Sequence, residues 1–198
     1  MNGDRIDLSG ARIVLGVSGS VAALGTAHLL MWLRTRFGIT GVSVVLSDMA
    51  QRFVTPASLT AVADCTVVTG WYDLPEGTRS HVGIAAHADV VLVVPATANT
   101  MAKIANGIAD STLTAVVAAA SCPVILAPSM SETTWNKPAT RRNVAQLVAD
   151  GYQVVDPKEG ISTSTSELEL GSVGDFRGPL VRALIATRSA TPWGEERP

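Results

Sequence analysis

Three short stretches of the sequence combine small residues with hydroxyl groups directly after an apolar, strand-like run. They are Gly16-Val17-Ser18-Gly19-Ser20, the turn that begins at Ser47, and Pro95-Ala96-Thr97-Ala98-Asn99-Thr100. Free backbone N–H groups and hydroxyls at the start of a helix suit a phosphate, and small residues let a flat ligand approach the backbone. One such turn is compatible with a plain strand-to-helix joint. Three of them in one chain favour a ligand site.

The ligand that these turns predict is a mononucleotide. The first turn is neither a Walker loop nor a complete G-x-G-x-x-G motif, so alone it carries little weight. A dinucleotide site needs an acidic residue after the second strand to bind the ribose, and Asp48 is available there. The hydroxyl of Ser47, next to Asp48, is instead suited to bind the phosphate, which favours a mononucleotide.

The three histidines differ in their expected roles. His28 lies inside the first predicted helix and is expected to be a packed or surface residue, and His87 lies at a helix end, where capping is expected. His81 follows an irregular segment and begins a helix near the ligand edge. It is therefore the candidate base.

These residues are positioned by alternating strands and helices. The apolar runs predict strands at 12–17, 42–46, 90–94, 123–127 and 152–155. Helices are predicted at 21–37, 49–54, 57–63, 81–87, 100–120 with a break near Gly107, 134–150 and 180–187. Pro95 is expected to end the third strand, with Asn99 or Thr100 as the next helix cap, and 64–80 is expected to be irregular. Repeated βα units predict an α/β fold with a doubly wound parallel sheet.

The domain organisation is expected to be simple. Residues 1–188 are predicted to form one domain, and 189–198 a flexible tail. The long segment 157–178, punctuated by Gly171, Gly174 and Gly178, follows a strand at the ligand edge and is interpreted as a substrate lid.

Composition narrows the class of function. The net charge of −2 and the lack of a basic stripe argue against nucleic acid as a partner. Two cysteines, Cys65 and Cys122, make neither a disulfide framework nor a metal site. No segment reads as a membrane span or a signal-peptide core, so a cytoplasmic protein is expected. Apolar residues make up 47% against 16% charged ones, which favours burial between subunits.

Several blocks of the chain together resemble one enzyme family. The blocks are Ser47-x-x-Ala50-x-x-Phe53-Val54-x-Pro56, His81-Val82-x-Ile84, the run from Pro95 to Asp110, Ala127-Pro128-x-Met130 with Trp135 and Pro138, and Asn143. Across about residues 10–156 they are similar to the homo-oligomeric flavin-containing cysteine decarboxylases. That family includes phosphopantothenoylcysteine decarboxylases of coenzyme A synthesis and epidermin-type peptidyl-cysteine decarboxylases. The resemblance implies a Rossmann-like flavoprotein fold, FMN bound at a subunit interface, and a trimer or a dodecamer of trimers.

The resemblance also assigns roles to individual residues. It implies FMN contacts at Gly19, Ser20, Val21, Ser47, Asp48, Met49, Thr97, Ala98, Asn99, Thr100 and Ser129. It implies His81 and Asn99 as catalytic residues, and Met130 and Ser131 as substrate-binding residues.

Two departures from the family pattern matter. The substrate-carboxylate motif of the family has Asn after Pro-x-Met, whereas this chain has Ser131, so a helix N-terminus or a lid residue must complete the carboxylate site. The coenzyme A enzymes resemble one another in an Ala-Cys-Gly lid element whose cysteine supports reduction of the intermediate. Residues 157–178 contain no cysteine, so the reaction is expected to stop at the oxidised product.

The predicted function is FMN-dependent oxidative decarboxylation of a C-terminal peptidyl cysteine to an aminoenethiol, on a precursor peptide of a ribosomal peptide natural product. Oxidation of the thiol by the flavin places an electron sink β to the carboxylate, which permits loss of CO2. One alternative is phosphopantothenoylcysteine decarboxylase, and a second is a flavoprotein-like regulatory or binding subunit without catalysis. A flavin prenyltransferase has a related fold, but the 95–100 stretch and His81 fit the decarboxylases better.

Overall fold

The core of the molecule is one six-stranded parallel sheet. The computed structural model describes residues 7–74, 80–162 and 165–190 of the 198. The strands are β1 (Arg12–Val17), β2 (Gly41–Leu46), β3 (Cys65–Val68), β4 (Val90–Ala96), β5 (Val124–Pro128) and β6 (Gln153–Val154). Their order is β3-β2-β1-β4-β5-β6, and every pairing is parallel. The predicted doubly wound α/β fold is therefore confirmed, with its topological switch point between β1 and β4.

Helices cover both faces of this sheet. Side chains alternate along each strand, so Ile13 and Leu15 point to one face and Val14 to the other. The Ile13 face is covered by α1 (Thr26–Phe37), α2 (Pro56–Thr60) and α8 (Arg177–Ala190). The Val14 face is covered by α3 (His81–Ala86), α4 (Ala98–Ala105), α5 (Thr112–Ala119) and α7 (Pro138–Ala149). Burial on both faces explains why β1, β4 and β5 are almost continuously apolar.

Glycine and capping residues set several helix boundaries. The predicted helix 21–37 consists of a 3-10 turn, Val21–Gly25, followed by α1, which ends at Gly38 with a φ of 74°. The predicted break near Gly107 is confirmed, since this residue has a φ of 67° between α4 and α5. Ser111 then starts α5 by accepting a hydrogen bond from the N–H of Thr114. In the described part of the chain, no helix has the length and apolar character needed to span a membrane.

Two predictions about strands were wrong. Pro95 does not end β4, which continues to Ala96; the β4–β5 register shifts between Val93 and Ala96, an irregularity at which the missing proline N–H is tolerated. Residues 65–68, predicted to be irregular, form the edge strand β3. Its Cys-Thr-Val-Val sequence is too short to give a clear pattern, and pairing with β2 decides its conformation. Residues 75–79, also predicted to be irregular, lie outside the described residues.

The segment 157–178 is more regular than a loop. It contains an antiparallel hairpin of β7 (Lys158–Ile161) and β8 (Leu168–Ser172), and Arg177 already begins α8. The final helix is therefore longer than predicted and includes Ser189 and Ala190, two residues expected in the tail. Residues 191–198, the rest of that tail, lie outside the described residues.

Candidate functional site

A buried serine ties the ends of β1 and β4 together. The hydroxyl of Ser18, only 1% exposed, donates to the carbonyl of Pro95 at 2.7 Å and accepts from the N–H of Thr97 at 2.9 Å. The N–H of Ser129 donates to the carbonyl of Ala96 at 2.9 Å, which adds the end of β5. These hydrogen bonds thus connect the carboxyl ends of β1, β4 and β5 at one edge of the sheet.

The first predicted FMN turn lies at this edge. Ser20 caps the 3-10 turn by accepting from the N–H of Ala22 at 3.3 Å, and its hydroxyl lies 2.9 Å from that of Ser129. The sequence places these two serines 109 positions apart. The fold brings them together because β1 and β5 flank β4.

The second predicted FMN turn packs directly on the first. A Cβ at Gly19 would collide with the side chain of Met49, so only glycine permits this close approach. Ser47 accepts from the N–H of Ala50 at 3.2 Å and is half-buried, whereas Asp48 is exposed. The two turns form a narrow cradle of backbone and hydroxyl groups, which fits a phosphate.

The third predicted turn begins α4. Thr97 is the N-cap and accepts from the N–H of Thr100 at 3.4 Å, so the expectation that Asn99 or Thr100 caps this helix was wrong. Asn99 is exposed at the start of the helix, whereas Thr100 is buried, and Ala98 leaves the backbone uncovered by a large side chain. The small side chain of Ala98 is compatible with the close approach of a planar group to this turn.

A cavity with a volume of about 650 Å³ lies beside this edge on the Ile13 face. Five of the predicted site residues line it: Ser20, Val21, Ser129, Met130 and Ser131. The remaining predicted residues are not part of its lining: Gly19, Ser47, Asp48, Met49, Thr97, Ala98, Asn99, Thr100 and His81.

The hairpin covers this cavity. The N–H of Met130 donates to the carbonyl of Gly171 at 3.1 Å, which joins β8 to the loop after β5. A Cβ at Gly171, whose φ is 137°, would collide with the carbonyl of Met130, so glycine is required for this contact. The same loop leads into a short helix, α6 (Glu132–Trp135), that packs on β8.

Sequence reasoning missed most of the cavity wall. Lys158, Phe176 and Arg177 belong to the segment 157–178 that was interpreted as a lid, without a role for any one of them, whereas His28, Leu29 and Trp32 of α1 were not predicted. Arg177 stacks over the ring of Trp32, with 5.3 Å from its guanidinium carbon to the ring centroid. The spacing of His28 and Trp32, four residues apart, indicates one helix face, but nothing in the sequence shows that α8 and the hairpin meet this face.

The hydroxyl of Ser131 is already engaged. Ser131 is the N-cap of α6, accepting from the N–H of Thr134 at 3.3 Å, and its Oγ lies 2.9 Å from Oγ1 of Thr134. Either hydroxyl of this pair can donate to the other; when Thr134 donates, the single O–H of Ser131 is left for a substrate carboxylate, one donor where an amide NH2 has two. Because α6 has only four residues, its N-terminus is a weak substitute for the second group of an amide.

His81 lies away from the cavity. It is the first residue of α3, on the Val14 face, and is half-buried. Its ring meets that of Trp71 edge to face, with centroids 5.5 Å apart and an interplanar angle of 82°. Within one chain, the candidate base is thus not among the residues that line the cavity with the loop 129–131.

The other two histidines behave largely as expected. His87 caps the C-terminus of α3, with Nδ1 2.6 Å from the carbonyl oxygen of Gly83, which confirms its predicted role. His28 is an exposed surface residue of α1, as predicted, but it also lines the cavity.

The charges around the cavity are mostly positive. Lys158 and Arg177 line it, and Glu169 is the acidic residue of the lining. Glu169 accepts a hydrogen bond from the hydroxyl of Thr165 at 2.7 Å. Among the described residues, no group of acidic, histidine and cysteine side chains is arranged to hold a metal ion.

Neither cysteine lies near this cavity. Cys65 is the first residue of β3 and Cys122 precedes β5, so both lie at the amino end of the sheet. Burial, followed by the nearby carboxylate of Asp64, raises the pKa of the Cys65 thiol.

The sheet order and the hydroxyl-lined turns at its switch point define the class of doubly wound proteins that bind a nucleotide or flavin at the carboxyl ends of their strands. Residues 3–183 match the model of the family described as Flavoprotein, and the chain belongs to this family. The resemblance to the homo-oligomeric flavin-containing cysteine decarboxylases, with FMN as the cofactor of the group, is thereby confirmed.

Solved structures of that group are similar over nearly their whole length. The FMN-dependent cysteine decarboxylase SpaF is 43% identical, with a TM-score of 0.83, and the alignment covers 91% of this chain and 98% of SpaF. TvaF, an FMN-dependent cysteine decarboxylase from thioviridamide biosynthesis, is 35% identical with a TM-score of 0.72, covering 89% of this chain and 98% of TvaF.

Curated relatives are longer proteins. The coenzyme A biosynthesis bifunctional protein CoaBC of Bacillus subtilis (strain 168) is 37% identical over 154 residues, which are 77% of this chain and 37% of CoaBC. The chain spans about two fifths of the length of the curated relatives that it matches.

Proposed function

We propose that this protein is an FMN-dependent peptidyl-cysteine decarboxylase that converts the C-terminal cysteine of a precursor peptide into an aminoenethiol. The observation that carries the proposal is the cavity of about 650 Å³ over Ser129–Ser131, roofed by a hairpin whose sequence contains no cysteine. The high similarity to SpaF and TvaF supports it. TvaF is from thioviridamide biosynthesis, and by analogy we propose that this chain acts in the maturation of a ribosomal peptide natural product.

The cofactor fits the residues at the sheet edge. The cradle of Gly19, Ser20 and Ser47 would hold the phosphate, and the small-residue turn 97–100 would accept the flavin ring. When bound, FMN supplies a two-electron acceptor for the substrate thiol. Ser129 lies 2.9 Å from Ser20 and would orient the cofactor at the cavity floor.

The peptide C-terminus would lie in the cavity. Because Ser131 supplies at most one donor, the lid residue Lys158 is proposed to complete the carboxylate site. The ammonium group of Lys158 would bind the substrate by pairing with its carboxylate. This pairing does not accelerate decarboxylation, because the negative charge of the carboxylate disappears when CO2 leaves. Lys158 would therefore contribute to KM more than to kcat.

His81 would take the thiol proton or hold the thiolate. In its own chain it does not line the cavity that holds Ser131, which supports an active site completed by a second copy of this chain. We therefore propose a homo-oligomer, a trimer or a dodecamer of trimers, with FMN at the subunit interface. The reaction needs a free cysteine thiol, which favours the reducing cytoplasm.

The experiment is to purify the protein, record its flavin absorbance, and measure peptide masses after incubation. We expect a yellow, oligomeric protein and a peptide ending in Cys that loses about 46 Da, the sum of CO2 and two hydrogens in flavin-dependent oxidative decarboxylation. The matched control is the same peptide ending in Ser. A colourless monomer that takes up no added FMN would contradict the proposal.

The similarity to CoaBC favours phosphopantothenoylcysteine decarboxylase as a second candidate. Turnover of phosphopantothenoylcysteine with loss of about 44 Da, CO2 alone, would support it, because that product requires return of the electrons to the intermediate. A yellow protein that alters neither substrate would instead indicate a regulatory or binding subunit.

A further inference from the structure

The ring of His81 has no hydrogen-bond partner among residues 7–74, 80–162 and 165–190. Its contact there is the ring of Trp71, edge to face, with 5.5 Å between centroids and an interplanar angle of 82°. A histidine that moves protons is ordinarily oriented by a hydrogen bond at its second ring nitrogen. In this chain, the ring of Trp71 is the neighbour that could orient the His81 ring instead.

The turn that carries Trp71 is itself held in position. Gln51 donates from Nε2 to the carbonyl of Thr69 at 3.0 Å, and the hydroxyl of Thr69 donates to the carboxylate of Asp73. Leu74 packs against the core on the Val14 face. Trp71 is 42% exposed, whereas its neighbour Tyr72 is 97% exposed. The hydrogen bonds of this turn thus hold the Trp71 side chain against the ring of His81.

The backbone on the other side of the contact is equally fixed. Ile84 and Ala85 are buried and anchor α3, while His81 at its first position has only its side-chain torsions free. An edge-to-face partner restricts those torsions, because ring pairs have preferred geometries.

We propose that Trp71 is a positioning residue that sets the ring orientation of His81 for proton transfer from the substrate thiol. This inference rests on the proposed function. Trp71 contacts the ring of His81, so its loss changes the placement of the base, and we expect kcat to change more than KM.

The test compares Trp71→Ala, Trp71→Phe and the control Tyr72→Ala in the FMN-loaded protein with a peptide ending in Cys. For Trp71→Ala we expect kcat to fall about three- to tenfold, the scale of one aromatic pair, with KM within about twofold of wild type. Trp71→Phe, which keeps an aromatic ring, should recover most of kcat. A kcat in Trp71→Ala equal to that of Tyr72→Ala, a rise in KM alone, or no recovery with phenylalanine would overturn the proposal.

A second measurement is independent of turnover. Acylation of each histidine by diethyl pyrocarbonate, followed by peptide mass spectrometry, should be several-fold faster at His81 in Trp71→Ala than in wild type. His28 and His87 serve as internal references. An unchanged rate at His81 would refute the contact itself, whereas wild-type protein that decarboxylates no cysteine peptide would refute only the proposed function.

Discussion

The two faces of the sheet contribute different parts of the candidate site. On the Ile13 face, α1, α8 and the hairpin enclose a cavity against the loop 129–131. On the Val14 face, α3 presents His81 beside Trp71, outside that cavity. The carboxyl edge between them holds the turns proposed for FMN.

The proposed function therefore assigns binding and proton transfer to separate elements of the chain. The cavity face is shaped by long-range contacts, such as Met130 with Gly171, whereas the His81 face depends on a short aromatic contact. Variants on one face should therefore change KM or cofactor content, and variants on the other should change kcat.

The largest expected effect is on the Val14 face. His81→Asn should lower kcat by about 10²-fold or more, the scale for a positioned acid–base group, with FMN content unchanged because the phosphate cradle is elsewhere. The measurement is peptide turnover together with flavin absorbance. His87→Asn, at the other end of α3, is the control and should retain activity. Full activity of His81→Asn would assign His81 a structural role.

The second-largest effect is expected at the carboxyl edge of the sheet, where the turns proposed for FMN lie. Gly19→Ala places a Cβ against Met49 and forces the first two turns apart, so the affinity for FMN should fall roughly tenfold, the scale of a core overpacking penalty. Fluorescence titration of the apoprotein with FMN measures it. Gly25→Ala, with no atom within 4 Å of the new Cβ, is the matched control. Equal affinities in both variants would exclude Gly19 from the cradle.

The sequence was informative where local chemistry decides the structure. The turns after β1, β2 and β4 could be predicted because small residues and hydroxyl groups cluster directly after the apolar strands. The break at Gly107 could be predicted because helices commonly end at a glycine with a positive φ. Motif similarity added the site roles that spacing alone could not assign.

The cavity wall could not be predicted, because its residues come together only in the fold. Trp32 is more than a hundred positions away from both Lys158 and Arg177, and the sequences around these residues share no pattern. The hairpin escaped prediction because Gly160 and Gly171 resemble loop residues until their contacts with Ser172 and Met130 are known.

A smaller effect is expected in the lid. Lys158→Gln should raise the peptide KM about two- to fivefold and leave kcat nearly unchanged, since an exposed charge pair contributes little in water. Steady-state kinetics at low and high salt would show the difference shrinking as ions screen the pair. Glu159→Gln, the adjacent residue outside the cavity lining, is the control. A KM that falls in Glu159→Gln by as much as it rises in Lys158→Gln would indicate a general charge effect.

The smallest expected effect, no change at all, concerns the cysteines. If the product is oxidised because no thiol reaches the intermediate, then replacing Cys65 and Cys122 together by serine must leave the loss at about 46 Da. Both residues lie at the amino end of the sheet, opposite the cavity, and the raised pKa of the Cys65 thiol keeps it protonated and poorly nucleophilic at neutral pH. Mass spectrometry of the product decides the matter. A loss of about 44 Da in the wild type that becomes about 46 Da in the double variant would mean that one of these thiols assists the return of two electrons from the reduced flavin to the intermediate. The hairpin would then be a cover for the substrate without any bearing on the oxidation state of the product.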